Sequence, residues 1–220
     1  MNRALSRTVL REQVKDLVLE RILDGTYGPG ERLVETRIAQ ELGTSQAPVR
    51  EALRDLELLR LVESEPFRGA RVREVRREEL AEIYPVRAAL EEVAAREAAK
   101  RPQDERAALE ARLEAELKAM RAAAKRGDLH AQVEHDAAFH RAIVEASGNQ
   151  TLIEVWSSLG IHARTLATAL TVGIEPKEIV EMHRPIVEAL KEGDPRSVGH
   201  VLRRHVEQFG ELLLKGAQEE

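Results

Sequence analysis

The chain has 220 residues, which suits one large domain or two small ones, and it has no cysteine, which excludes disulfides and thiolate metal sites. It carries 34 Lys+Arg against 39 Asp+Glu, a formal net charge of −5, and residues 1–75 are balanced, so all the excess acid lies behind them. No apolar run approaches the roughly 20 residues of a membrane span, and no signal peptide opens the chain, so a cytoplasmic protein without membrane contact is expected. Aromatic residues make up only 3% and Leu, Ala, Glu and Arg dominate, a composition that favours helix.

The first element is a helix from Thr8 to Asp24, with Leu10, Val14, Leu17, Val18 and Ile22 on one stripe and Gly25 at its end. Arg11 and Lys15 fall on its surface. Gly28-Pro29-Gly30 is a turn. A short helix from Glu35 to Leu42 follows, with Gly43 supplying the left-handed residue after it. Ser45 is placed to cap a third helix whose first turn holds Pro48, where a missing N–H costs nothing, and whose buried stripe is Val49, Ala52, Leu53 and Leu56. Two extended pieces, Leu61–Ser64 and Ala70–Val75, are joined through Gly69. Two short helices around a glycine turn, followed by a hairpin, make a winged helix-turn-helix over residues 1–75.

From residue 76 to 220 the pattern is helical throughout, with breaks at 101–102, 126–128, 147–149, 173–176 and 193–195. Asp128 and Asp194 are candidate N-caps, and Pro176 and Pro195 suit first-turn positions. Six helices with short connections predict an antiparallel all-α bundle. The fold class is mainly α, in two modules without a Gly/Ser linker.

Gln46, Arg50 and Arg54 are spaced i, i+4, i+8, opposite the buried stripe of the third helix. A helix in a major groove reads base edges from its N-terminal residues; Gln pairs with adenine, and Arg with guanine or phosphate. Thr44, Ser45 and the unpaired N–H groups at the helix start suit phosphate oxygens. Arg68 and Gly69 at the hairpin tip are placed for a neighbouring minor groove. The competing reading is a solvated helix in which Arg50 and Arg54 pair with nearby acids.

In the second module Asp136 and His140 share a helix face. His183 and His205 lie equally far on either side of Asp194, the centre of a helical hairpin, and are therefore level with one another. Phe139, Ile143, Ile186 and Leu190 flank them with apolar surface. One carboxylate and three imidazoles suit a divalent transition metal such as zinc, nickel or manganese, with an unmetallated polar core as the alternative.

The run YGPGERLVETRIAQELGTSQAPVREALRDLELLRLVESEPFRGARV resembles the DNA-binding domain of the GntR family of bacterial transcription regulators, through PG-x-x-L-x-E, the LG turn, PVREAL and the RGA wing. The resemblance implies a homodimer on palindromic double-stranded operator DNA, with contacts from Arg50, Arg68 and Gly69. Where the family often has arginine this chain has Thr36 and Gln46, so Gln46 should read a different base and Arg37 takes over part of the missing contact.

Residues from about 77 to 216 resemble the FCD ligand-binding domain of the FadR subfamily, through YPVRAALE, DAAFHRAIVEASGNQTL and HRPIVEALKEGDPRSVGHVLRRHV. That implies a metal held by Asp136, His140, His183 and His205, and a small carboxylate effector held by the metal and by Arg87, whose other candidate partner is Glu91. Pro85, two residues before Arg87, departs from the family pattern and either kinks this helix or starts a new one. The expected function is a ligand-responsive regulator, not an enzyme. A regulator for which the ion itself is the signal is the alternative. A metalloenzyme ranks third, because no H-E-x-x-H or E-x-x-H motif is present.

Overall fold

The computed structural model describes residues 7–65, 69–73 and 76–216, and the chain divides into two compact units, Met1–Arg76 and Arg77–Glu220. The expected hairpin-tip residue Arg68 and strand residue Val75 lie outside the described residues.

In the first unit, α1 (Arg7–Leu23) is followed by β1 (Arg32–Leu33), α2 (Glu35–Glu41), α3 (Gln46–Leu58), β2 (Val62–Glu65) and β3 (Gly69–Val72). The sheet order is β1-β3-β2, all antiparallel, with Arg32 opposite Arg71 and Glu63 opposite Arg71 on the other side. The two-residue β1 is not legible in sequence, because a strand that short has no periodicity. Gly30, at φ +80°, turns the chain into it and donates to the Val72 carbonyl at 2.9 Å.

Val14, Val18, Ile22, Ile38, Val49, Ala52, Leu53 and Leu56 are buried, as their spacing requires. Leu19 joins them at 0% exposure, whereas Leu17 is only half-buried. Lys15 corrects the surface assignment: at 8% exposure its stem lies in the packed face, and its ammonium pairs with Glu12. A long lysine stem covers apolar surface while its head finds an acid. Arg11 is tied as well, at 2.8 Å from Glu12 and 3.3 Å from Asp55.

The second unit runs α4 (Arg77–Ala81), α5 (Ile83–Ala99), α6 (Gln103–Arg126), α7 (Leu129–Ala146), α8 (Gln150–Ser158), α9 (Ile161–Val172), α10 (Pro176–Met182), α11 (Arg184–Glu192) and α12 (Pro195–Gly216). All five expected breaks occur. Asp128 caps α7 by accepting from Ala131 N–H, and Asp194 accepts from the N–H groups of Arg196 and Ser197. Three further interruptions raise the segment count. Gly160, at φ +63°, separates α8 from α9. Pro85 sits in the first turn of α5, where its missing N–H is tolerated, so this proline starts a helix after the Glu82 break. Pro185 does the same for α11, leaving His183 at the junction with α10.

Each unit buries its own apolar face. Leu19→Ala should cost about 2–5 kcal/mol, as expected for emptying a fully buried leucine site. A thermal melt of the full chain should show the transition of the first unit lowered and that of the second unmoved.

Candidate functional site

At the start of α3, Gln46 and Arg50 are exposed, as is Ser45 just before it, while Thr44 is half-buried. Ser45 has the extended backbone of an N-cap, but its side chain makes no cap hydrogen bond, contrary to the expected role. The hydroxyl and the first turn of α3 thus present their polar groups outward. Arg50 does not pair with its own helix; its guanidinium makes a two-nitrogen contact with Glu35 of α2, at 2.9–3.2 Å. Arg37 is 68% exposed and pairs with Glu41 at 2.9 Å. Gly69 is exposed with φ +85°, a conformation that favours glycine.

In the second unit, α7 carries Asp136 and His140 on one face, the α10–α11 junction carries His183, and α12 carries His205. One candidate donor nitrogen from each of the three histidines lies within 4.8 Å of the others. The rings of His183 and His205 are 4.3 Å apart, so the helical hairpin does bring these two level. Phe139 packs edge-on against His183 at 5.0 Å and closes the site on its apolar side.

The hydrogen-bond partners settle the tautomers. His183 Nδ1 is 2.8 Å from the Ile179 carbonyl and His205 Nδ1 is 3.2 Å from that of Met182. A carbonyl only accepts, so each imidazole carries its proton on Nδ1. His140 Nδ1 lies 2.6 Å from the Glu91 carboxylate. All three rings are then left with their lone pairs on Nε2. Among the described residues the buried Nε2 atoms of His140 and His183 have no hydrogen-bond partner. His183 Nε2 is 3.0 Å from Asp136 Oδ1 but is not aligned for a hydrogen bond, so two lone-pair-bearing atoms face a common point. Donors of one ion, each about 2.0–2.2 Å from it, come this close to one another. The three imidazoles fit a metal; Asp136, the fourth expected ligand, touches His183 but lies outside that group of three.

Electrostatics agree. Burial pushes the His140 imidazole below its ordinary value, and His205 well below. Both therefore favour the neutral form that a metal ligand needs. Burial opposes ionisation of Glu91, but Arg87 and His140 outweigh it and hold the carboxyl well below its usual range. Asp136 is likewise held well below its usual range against its burial, with the Arg87 guanidinium among the charges that favour the carboxylate.

A pocket opens beside this cluster and is lined by Tyr84, Arg87, Gln132, Asp136, His140 and His205 among others. Arg87 is 5% exposed; its Nε donates to Glu91 at 2.6 Å and its Nη1 to Thr165 at 3.3 Å. Arg87 is therefore both a wall of the cavity and the partner of Glu91. Gln132 donates to the Pro176 carbonyl at 2.6 Å, while its buried Oε1 has no partner among the described residues. Tyr84 donates to Thr168 at 2.7 Å. Gly210 of α12 lets Tyr84 pack this closely, since a Cβ there would lie 3.0 Å from the tyrosine Cβ.

Sequence reasoning did not single out Gln132, Tyr84 or Trp156, whose indole donates to Glu91 at 2.8 Å. No motif marks them. A lone glutamine, tyrosine or tryptophan on an amphipathic helix reads as ordinary core or surface.

A winged helix-turn-helix followed by a helical bundle is the architecture of a DNA-binding regulator with a second, all-helical unit. Residues 10–72 match the bacterial regulatory proteins of the gntR family, and residues 82–208 match the FCD domain. The chain is 37% identical, over 94% of its length and 90% of the relative's, to a probable D-xylose utilization operon transcriptional repressor of Paenarthrobacter nicotinovorans. It is 25% identical to the gluconate operon transcriptional repressor of Bacillus licheniformis, covering 98% of this chain and 94% of that one. The solved structure of E. coli McbR/YncC is similar, with a TM-score of 0.69 and 27% identity over 94% of this chain and 98% of that one. The protein belongs to the GntR family of transcription regulators and carries an FCD domain. Its relatives are regulators, not enzymes.

Arg50 is exposed near the start of α3 and is held there by Glu35. Arg50→Ala should weaken binding to an operator duplex by about tenfold or more, the loss of one good base or phosphate contact. Fluorescence anisotropy measures the binding, and an unchanged melting temperature shows that the fold is intact.

Proposed function

We propose that this regulator binds a palindromic operator as a homodimer and senses a small hydroxy-carboxylate at a divalent metal held by Asp136, His140, His183 and His205. One observation carries the reading: three buried imidazoles have their protons committed to acceptors on the outside of the cluster, and their bare nitrogens converge beside a carboxylate. An apolar core has no use for that arrangement, because each unpaired polar atom costs stability. Nitrogen and oxygen donors suit zinc, nickel or manganese. The ion, when bound, supplies an electrophilic anchor for a carboxylate oxygen.

Charge selects the effector. One guanidinium, Arg87, stands against two ionised carboxylates, Glu91 and Asp136, leaving a single buried negative charge. A divalent ion reverses this to a single positive charge, which one carboxylate cancels. A dicarboxylate overshoots, at the cost of an unpaired buried charge. Arg87 retains donor capacity beyond its bonds to Glu91 and Thr165, and an arginine fork suits a carboxylate. The unpartnered Gln132 Oε1 accepts only from a donor, so a hydroxyl on the effector satisfies it. The relatives named for xylose and gluconate operons are compatible with such a polyhydroxylated class.

DNA contacts are assigned to Arg37, Thr44, Ser45, Gln46, Arg50, Arg68 and Gly69, with the protein acting in the cytoplasm, where the operator is. Effector binding alters operator affinity to the extent that the ligand discriminates between two arrangements of the protein.

Thermal shift tests the reading. Metal-stripped protein should gain stability on adding zinc, nickel or manganese. The loaded form should gain further with a hydroxy-monocarboxylate, by about 2.7 kcal/mol at a hundredfold excess over Kd. His183→Ala should lose bound metal, measured by elemental analysis, and lose the acid response while still binding operator DNA. Full metal content in that variant, or equal stabilisation of metal-free protein by the acid, would sink the proposal. A response to the ion alone, with operator binding following free metal, would make the ion the signal.

A further inference from the structure

Glu91 is neither an assigned metal ligand nor an assigned effector contact, yet it bonds one of each. It is 0% exposed, on α5, and its two oxygens are occupied differently. Oε1 accepts from Arg87 Nε at 2.6 Å and from the Trp156 indole at 2.8 Å, so donors from α5 and α8 share it. Oε2 receives His140 Nδ1 of α7 at 2.6 Å. Each atom in this network has one possible sense of donation. Arg87 and the indole only donate, an ionised carboxylate only accepts, and the proton between Glu91 and His140 must therefore come from the imidazole.

We infer that Glu91 is a positioning residue that keeps the His140 proton on Nδ1, turns the Nε2 lone pair toward His183 and His205, and anchors Arg87 through the same carboxylate. The inference rests on the metal reading above for its consequence, but the tautomer it assigns is a property of the metal-free protein. His183 and His205 are oriented by main-chain carbonyls, which no side-chain substitution removes. Of the three imidazoles, His140 is the one whose tautomer depends on a side chain. The support is shared, because the carboxylate that fixes Arg87 is the group that fixes His140. The ion site and the effector arginine are therefore held in one register.

Glu91→Gln tests this. The amide keeps one oxygen, which stays with the two donors Arg87 and Trp156, and it places an NH2 group against His140 Nδ1. That nitrogen must then accept, and the proton moves to Nε2, where it blocks the lone pair. Outer partners of this kind are worth about 10- to 100-fold in metal affinity. Zinc affinity of the full-length variant, measured by competition with a chelator, should fall by that factor. Long-range 1H–15N spectra of metal-free protein should show His140 protonated on Nδ1 in the wild type and on Nε2 in the variant. Trp156→Phe is the control: it removes a donor from Oε1, leaves Oε2 alone, and should preserve both the tautomer and zinc affinity. Wild-type zinc affinity in a folded Glu91→Gln would overturn the inference, as would an equal loss in Trp156→Phe. If Glu91→Gln does not fold, the wild-type spectrum decides, and a proton on Nε2 of His140 overturns the inference. A wild-type protein that binds no zinc, nickel or manganese while its His140 proton sits on Nδ1 would sink the metal reading and leave the role of Glu91 standing.

Discussion

A charged carboxylate in a dry interior needs several kcal/mol of compensation, and the second unit is arranged around meeting that need at Glu91. The donors that meet it come from α5, α7 and α8, so the three helices are tied at one point. Packing alone is non-directional and tolerates small shifts of one helix along another. A carboxylate with three specific donors does not, and the register it imposes carries through to the cavity. Arg87 is held at the wall, the His140 ring is fixed in orientation, and the neighbouring imidazoles meet it from α12 and the α10–α11 junction. Pro185 contributes by interrupting the helix at His183, whose ring then bonds the Ile179 carbonyl of the preceding turn.

The DNA-reading unit follows a different logic. Its core is apolar, and its polar groups are kept at the edge with weak commitments. Ser45 occupies a capping position without capping, and Arg50 is held by a solvent-exposed pair with Glu35 that gives way at little cost. Polar groups on a surface that meets phosphate and base edges lose less on binding when their existing bonds are exposed ones. Where the second unit spends its specific hydrogen bonds on rigidity, the exposed face at the start of α3 holds its own in reserve.

Much of this architecture is legible in the amino-acid sequence. Glycine and proline mark every expected break in the bundle, because each has a backbone reason for being there. The pairing of His183 with His205 follows from counting residues on either side of a turn, since helical rise is constant. Other features are not legible. Leu19 and Lys15 sit at the margin of the α1 stripe, where burial depends on what packs against the helix and not on the stripe itself. β1 is defined by its partner β3, and two residues carry no pattern of their own. Gly160 interrupts a run that reads as one helix, because a single glycine is tolerated inside many helices. Trp156 and Gln132 belong to no motif, and only the packing of their helices brings them to Glu91 and to the cavity.

Local chemistry by itself determined the two-module organisation, the helical periodicity, the caps at Asp128 and Asp194 and the types of side chain able to bind DNA and metal, because these depend on spacing within one element or one turn. Only the tertiary structure decided which way each polar atom points. The Nδ1 proton of His140, the double attachment of Arg87, and the unpartnered oxygen of Gln132 are set by groups on other helices. Hydrogen bonding is directional over about 3 Å, whereas sequence pattern resolves only which face of a helix a residue occupies. The candidate ligand residues could be named from the sequence; their protonation, their aim and their neighbours Gln132, Tyr84 and Trp156 could not.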